Sequence, residues 1–243
     1  MNILGVIPAR GGSKRFKNKN IKDLLGKPVI GYTIEAALRS KMLDKIVVST
    51  DSKAIAETVK RHYTVEVIGR PKEYAKDTSP IEEALLHAVE YMKKKHNYCA
   101  DVLVWMQANV PIRENGIIDK AVKKLISTRA DSCATCYEVD QVPELMKTIT
   151  KNGMIEPLIR NVKGIRKQEF PARYLFDGSV VVLRVANLYK TRGIRKAHIY
   201  MGKKIAPEVQ SSRMFSLELD VPDDMDIIKY YMLKNKRRLR RFS

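Results

Sequence analysis

Arg10, Gly11, Gly12, Ser13, Lys14, Arg15, Lys17, Lys19 and Asn20 come almost directly after the apolar run Ile3 to Ile7, so a buried strand empties into a glycine-rich, strongly basic loop. Adjacent glycines let backbone N–H groups approach an anion closely, and the cations supply the charge that a nucleoside triphosphate needs. A solvated basic loop is the plainer alternative; paired glycines at this charge density favour a triphosphate cradle. The loop is not a P-loop, because the Gly-x-x-x-x-Gly-Lys-Ser/Thr spacing is absent and no helix follows directly.

The second group of interest is acidic. Glu218 and Asp220 alternate with Leu217, Leu219 and Val221, which reads as a strand with both carboxylates on one side. Two hard oxygen donors on one face suit Mg2+, which takes its remaining ligands from water and phosphate; two surface acids are the alternative. Asp223 and Asp224 follow Pro222 in the first turn of a last helix, where the dipole stabilises negative charge.

These residues need a frame, and the hydrophobic pattern supplies one. Short apolar strands at 2–7, 45–50, 65–68, 102–106, 132–139 and 180–184 alternate with amphipathic helices, the pattern of a mostly parallel sheet covered on both faces. The helices are expected from Pro28, over 52–61, from the capping box Ser79-Pro80-Ile81-Glu82, around 117–125 and over 225–233. Ligands in such open sheets bind outside the carboxyl ends of the strands, so the basic loop, Asp51, Arg70 and Gln107 face one crevice. His87 falls inside a helix and reads as a packing residue. From Pro143 to Pro171 the periodicity fails, which marks an inserted arm at about 143–173.

At 243 residues with 44% apolar content, the chain suits one α/β domain. No apolar run nears the roughly 20 residues that cross a bilayer, and the N-terminus lacks a signal-peptide pattern, so a cytoplasmic protein is expected. Cys133 and Cys136, on an expected strand with no second pair to complete a zinc site, read as structural, and Cys99 leaves the number odd. The net charge of +19 is the anomaly, and part of it lies in a basic tail at about 234–243. Such a run attracts polyanions, but aromatic residues are not interleaved with it, so nucleic acid is an unlikely partner.

Ile7-Pro8-Ala9-Arg10-Gly11-Gly12-Ser13-Lys14 resembles the first motif of the acylneuraminate cytidylyltransferases, the CMP-sialic acid synthetases. Further stretches agree in order: Val48 to Asp51, Arg70-Pro71 with Asp77-Thr78 and His87-Ala88, Met106-Gln107 to Arg113, and Glu218 to Asp224. The resemblance implies a Rossmann-like, nucleotide-diphospho-sugar-transferase fold and transfer of a nucleotide from CTP to a 2-keto sugar acid. It implies triphosphate binding by Arg10, Gly11, Gly12, Ser13 and Lys14, closure by Lys19 and Asn20, and a nucleotide pocket completed by Arg70. Gln107 then contacts the acceptor, Arg166 and Lys167 meet its carboxylate, and Glu218 with Asp220 place Mg2+, which makes Arg10, Lys14 and Asp220 the catalytic set. It also implies a homodimer formed through the arm. Three departures bear on substrate: Ser79-Pro80-Ile81-Glu82 where the family has small residues and serines, Ala108-Asn109-Val110 where it has Pro-Thr-Ser, and Asp177-Gly178-Ser179 where it has Asn-Gly-Ala; a fourth, Glu218 where the family has aspartate, bears on the reach to the metal. They keep open a same-fold enzyme using another triphosphate, such as GTP, with a different sugar or sugar phosphate; a non-enzymatic nucleic-acid-binding protein is the distant alternative.

Overall fold

The computed structural model describes residues 1–235. In chain order the elements are β1 (Ile3–Pro8), β2 (Asp23–Leu24), β3 (Lys27–Pro28), α1 (Val29–Arg39), β4 (Lys45–Thr50), α2 (Lys53–His62) and β5 (Glu66–Gly69). Then follow α3 (Ile81–His96), β6 (Val102–Trp105), α4 (Ile117–Thr128), β7 (Ser132–Glu138), β8 (Lys147–Ile149) and β9 (Ile155–Pro157). The chain continues through β10 (Tyr174–Arg184), α5 (Val185–Lys190), β11 (Ile205–Val209) and α6 (Pro222–Lys234).

A seven-stranded sheet in the order β11-β7-β10-β6-β1-β4-β5 forms the centre. All its neighbours pair in parallel except β10, which runs antiparallel to both β6 and β7. The expected Rossmann-like, mostly parallel α/β class is therefore correct. β1 is central and buried on both faces, which is why its sequence is a continuous apolar run. Ile3 and Ile7 pack with α1, α2 and α4, whereas Leu4 and Val6 pack with α3 and α5. A third cluster joins Leu24, Ile112, Phe215, Leu219, Met225 and Ile228, so α6 is fastened to the end of the sheet where the basic loop emerges.

Several sequence expectations need correction. The stretch Leu217 to Val221 is not a strand; it runs between a 3-10 turn and α6. Leu219 N donates to Asn109 O at 2.8 Å, and no ladder continues from it. Ser79 does not cap α3; its hydroxyl donates to Glu73 O at 2.5 Å, and Pro80 takes the N-cap position. The arm is not wholly irregular, because β8 and β9 pair antiparallel within it. Two elements add to those expected from periodicity: β11, whose Pro207 lowers its strand signal and which is an edge strand, where proline is tolerated, and the hairpin β2-β3, turned by Leu25 at φ 53° and Gly26 at φ 89°. From residue 236 onward the basic tail lies outside the described residues. Among the described residues no helix is long and apolar enough to cross a membrane.

Candidate active site

The basic loop leaves β1 where the sheet order turns, with β4 on one side of β1 and β6 on the other. Ala9 N still donates to Ser49 O at 2.9 Å, so the chain departs from the ladder only at Arg10. Gly11 N then donates to Asp51 Oδ1 at 3.0 Å. A Cβ on Gly11 would lie 2.7 Å from Ser52 Cβ, so close approach to the β4–α2 turn requires glycine. Asn20 is buried and donates through Nδ2 to Arg10 O at 3.3 Å, which ties the far end of the loop to its start.

Two carboxylates hold the loop's cations. Asp77 accepts from Arg10 at 2.5 Å and pairs with Lys14 at 2.8 Å. Asp220 pairs with Lys19 at 2.6 Å and Arg15 at 2.9 Å. Lys14 and then Arg10 hold the Asp77 carboxyl below the usual aspartate range. Burial pushes Asp220 up, but Lys19 and Arg15 outweigh it and the net shift is down. Ser13 lies in the same loop, its N–H donating to Gly11 O at 3.0 Å. Arg70 is buried under the loop's root, donating to Ser49 Oγ at 3.1 Å and Ser49 O at 2.6 Å. Burial, aided by the charge of Arg10 and opposed by Asp51, lowers its pKa to about 10.

Beside the loop opens a cavity of about 550 Å³, lined among others by Thr78, Trp105, Gln107, Phe176, Tyr200 and Glu218. Gln107 stands just past β6, and its backbone N–H donates to Gly178 O at 3.2 Å. Its side-chain Oε1 is buried without a hydrogen-bond partner among the described residues. An orphaned buried acceptor of this kind is satisfied by a ligand donor or water. The antiparallel strand β10 is irregular between Phe176 and Val181, and this bulge delivers Gly178 to the cavity wall.

Arg113 and Asp177, which the sequence offers only as motif positions, fix this wall. Arg113 donates to Gln107 O at 2.6 Å, Val110 O at 2.5 Å, Thr33 Oγ1 at 2.6 Å and Ser179 O at 3.3 Å. Burial lowers its pKa to about 9, against the opposing charge of Asp177. Asp177 is itself buried and accepts from Thr135 at 2.5 Å, Ser179 N at 2.9 Å, Gln210 at 2.9 Å and Ser216 at 2.7 Å. The signal was Arg113 and Asp177 themselves, charged residues embedded among apolar ones, but nothing in the spacing shows that they converge.

The acidic pair behaves unequally. Burial and then the neighbouring charge of Asp220 raise the Glu218 pKa to about 7. Asn109 donates to Asp220 Oδ1 at 3.2 Å, and Asp220 N and Val221 N donate to Asp224 Oδ2 at 2.7 and 2.8 Å. Asp224 therefore serves the start of α6, as its position suggested. Among the described residues no cluster of three or more His, Cys, Asp and Glu could cage a metal. Glu218 and Asp220 nevertheless form the kind of two-carboxylate set that fits Mg2+: after burial, the charge of Asp220 is the next cause of the raised Glu218 pKa, and a divalent cation would relieve that repulsion.

Arg166 and Lys167 are not brought to this cavity within one chain. Both are exposed on the arm, where Lys167 pairs with Asp140 at 3.0 Å. The cations on the cavity wall are instead Arg195 and Lys196, from the loop after α5. His87 faces Tyr74, ring centroids 6.0 Å apart, and burial followed by the charge of Arg70 lowers its pKa. Cys133 and Cys136 are buried thiols pushed above the usual range by burial, Cys133 to about 12, as structural cysteines are.

Comparison with known sequences gives a match of residues 4–219 to the family described as cytidylyltransferase. The chain belongs to that family. It is 28% identical over 240 residues to the CMP-N,N'-diacetyllegionaminic acid synthase of Legionella pneumophila, covering 98% of this chain and all of that protein. It is 29% identical over 226 residues to the N-acylneuraminate cytidylyltransferase of Streptococcus agalactiae serotype V, covering 92% of this chain and 52% of that one. The chain thus spans about half the length of the Streptococcus relatives. Over 130 residues, 54% of this chain and 56% of the other, it is 36% identical to a pseudaminic acid cytidylyltransferase of Campylobacter jejuni. The fold of this cytidylyltransferase-family chain is also that of CMP:2-keto-3-deoxy-manno-octonic acid synthetase, solved with CTP, at a TM-score of 0.71 and 17% identity, covering 97% of this chain and 100% of that one.

Proposed function

We propose that the chain joins CTP to a sialic-acid-like 2-keto sugar acid, giving a CMP-sugar and pyrophosphate. The observation that carries this reading is the meeting of the basic loop with the cavity through Asp220. Lys19 and Arg15 of the loop pair with that carboxylate, and Glu218, two residues before it, lines the cavity. A triphosphate on the loop and a sugar in the cavity would then share one boundary, as transfer requires.

Arg10 and Lys14 exchange the Asp77 carboxylate for phosphate oxygens, and the N–H groups of Gly11, Gly12 and Ser13 approach the same anion. Lys19 and Asn20 close the loop on the nucleotide, and Arg70 completes its pocket from below. Gln107 Oε1 accepts a hydrogen bond from the acceptor, whose anomeric hydroxyl attacks the α-phosphorus in line with departing pyrophosphate. Most of the acceleration comes from this alignment and from neutralising phosphate charge. Glu218 and Asp220 would hold Mg2+, which when bound supplies further positive charge at the phosphates.

The same reading includes a homodimer through the arm, whose hairpin leaves Ile149 75% and Ile155 71% exposed, and a cytoplasmic setting that keeps the three cysteines as thiols. Pyrophosphate release with Mg2+, run with each of the four nucleoside triphosphates against a panel of nonulosonic acids and neutral sugar phosphates, tests it. Release that needs CTP and a sugar acid supports the proposal; release with another triphosphate or a sugar phosphate overturns the substrate assignment.

A further inference from the structure

We propose that Asp177 is a positioning residue that ties the cavity wall at Gln107 to the segment carrying Glu218 and Asp220, so that acceptor and reacting phosphate meet in one fixed geometry. The inference rests on the proposed reading of Gln107, Glu218 and Asp220. Asp177 is 2% exposed, and burying a carboxylate is costly unless donors replace the lost water. An ionised carboxylate only accepts, at roughly four lone-pair sites. Here Thr135 Oγ1 and Ser179 N donate to Oδ1 at 2.5 and 2.9 Å, and Gln210 Nε2 and Ser216 Oγ donate to Oδ2 at 2.9 and 2.7 Å. Each oxygen thus serves a different side of the cavity.

Oδ1 faces the bulge of β10. Phe176 pairs with Cys136 and Val181 with Ala134, so Asp177, Gly178, Ser179 and Val180 all stand opposite Thr135. Thr135 Oγ1 closes this bulge, accepting from Val180 N at 2.9 Å while donating to Asp177. The bulge in turn presents Gly178 O to Gln107 N at 3.2 Å. Oδ2 faces the 3-10 turn Arg213–Ser216, which leads directly into Leu217 and Glu218. Gln210, buried beyond β11, reaches the same oxygen and lies 3.5 Å from Phe215 O in that turn. Past the turn Leu219 N donates to Asn109 O at 2.8 Å, so the acidic segment is pinned on either side of Glu218. None of the four donors to Asp177 belongs to the basic loop, which leaves the triphosphate side independent of it. A buried polar network with every acceptor filled specifies one arrangement, and a displacement of about 1 Å at a reacting group can cost about 10²-fold in rate. Asp177→Asn keeps the ties: the amide oxygen accepts from Thr135 and Ser179, and its N–H groups can reach Ser216 Oγ and Gln210 Oε1, an acceptor without a partner among the described residues. Asp177→Ala removes all four.

Amide hydrogen exchange on the full chain, read beside steady-state kinetics, tests this. Gln107 N and Leu219 N report the two sides, because neither bonds to Asp177, and Ala9 N at the root of the basic loop is the control. Asp177→Ala should speed exchange at Gln107 and Leu219 together by about tenfold and leave Ala9 unchanged. Kinetics use CTP, Mg2+ and whichever of N-acetylneuraminate, legionaminate and pseudaminate the wild type turns over fastest. The Asp177→Ala kcat should fall about 10²-fold and its acceptor KM should rise. Its CTP affinity in chelator should not move, and Asp177→Asn should recover most of the rate. Thr135→Val should loosen Gln107 alone and Ser216→Ala should loosen Leu219 alone, which decides the matter if Asp177→Ala does not fold. Exchange that is unchanged, raised at only one of the two amides in Asp177→Ala, or raised equally at Ala9 overturns the inference. So does an Asp177→Ala kcat equal to wild type, an Asp177→Asn rate as low as that of Asp177→Ala, or single-link variants that loosen neither amide. A wild type inactive with all three acids overturns the functional reading instead, and exchange still decides whether Asp177 joins the two sides.

Discussion

Gly178 and Gln107 leave no room between them: a Cβ on Gly178 would lie 2.3 Å from Gln107 Nε2, while Gln107 N donates to Gly178 O at 3.2 Å. Gly178 sits at φ 60°, a conformation that disfavours any side chain. Gly178→Ala should therefore turn the Gln107 amide away from the cavity and lower stability by about 1 kcal/mol. Steady-state kinetics should show a raised KM for the acceptor and an unchanged KM for CTP. A variant with unaltered acceptor KM would separate Gln107 from the acceptor.

Asp77 holds Arg10 and Lys14 in the place where a triphosphate is proposed to sit. Asp77→Asn removes that competing charge, so CTP should bind several-fold tighter at low salt, with the gain shrinking as salt rises. Isothermal titration at two ionic strengths reads both effects. Weaker binding would mean that Asp77 positions the cations rather than competing for them.

Glu218 makes stability depend on pH in a direction opposite to most carboxylates. Its folded pKa, about 7, lies above that of an unfolded glutamate, so the native state binds the extra proton between about 4.5 and 7. Stability from this group is thus present below about 4.5 and lost as pH rises through 7. Glu218→Gln should stabilise the metal-free protein at pH 8 by about 1–2 kcal/mol, allowing for its partial exposure, and change little at pH 4.5. The same substitution should weaken Mg2+-dependent activity. Thermal melts at the two pH values with chelator present, set beside rates with Mg2+, show whether the two effects separate.

Arg113 satisfies the carbonyls of Gln107, Val110 and Ser179 from a half-buried position. Arg113→Ala leaves them unpaired and should cost about 3 kcal/mol, lowering the denaturation midpoint without changing the slope. A loss well under 1 kcal/mol would mean that water replaces the guanidinium without cost.

The parts of the site that lie close in sequence were legible before the fold was known. Arg10 to Asn20 announce themselves because charge, glycines and the preceding apolar strand are contiguous, and β4 at Lys45–Thr50 follows from its local pattern. The Glu218 and Asp220 pair was found for a partly mistaken reason, since the alternation that suggested a strand is that of an extended segment pinned by Asn109. Long-range pairings were not legible. Asp77 meets Arg10 across 67 residues and Lys19 meets Asp220 across 201, separations that no local periodicity encodes. Arg195 and Lys196 fall in a turn-rich segment whose sequence resembles any solvated loop. Only the placement of the α5–β11 connection against the cavity distinguishes them.

On the proposed function, the basic loop and the cavity cooperate in moving a nucleotide onto a sugar acid. CTP labelled at its α-phosphate, incubated with Mg2+, the wild-type chain and a sugar acid found to bind it, tests that claim most directly. The label should appear in a CMP-sugar as pyrophosphate is released, and Lys14→Ala and Asp220→Ala should abolish its transfer. Label that stays in CTP, or appears only as free CMP while the sugar acid is bound, would contradict the account.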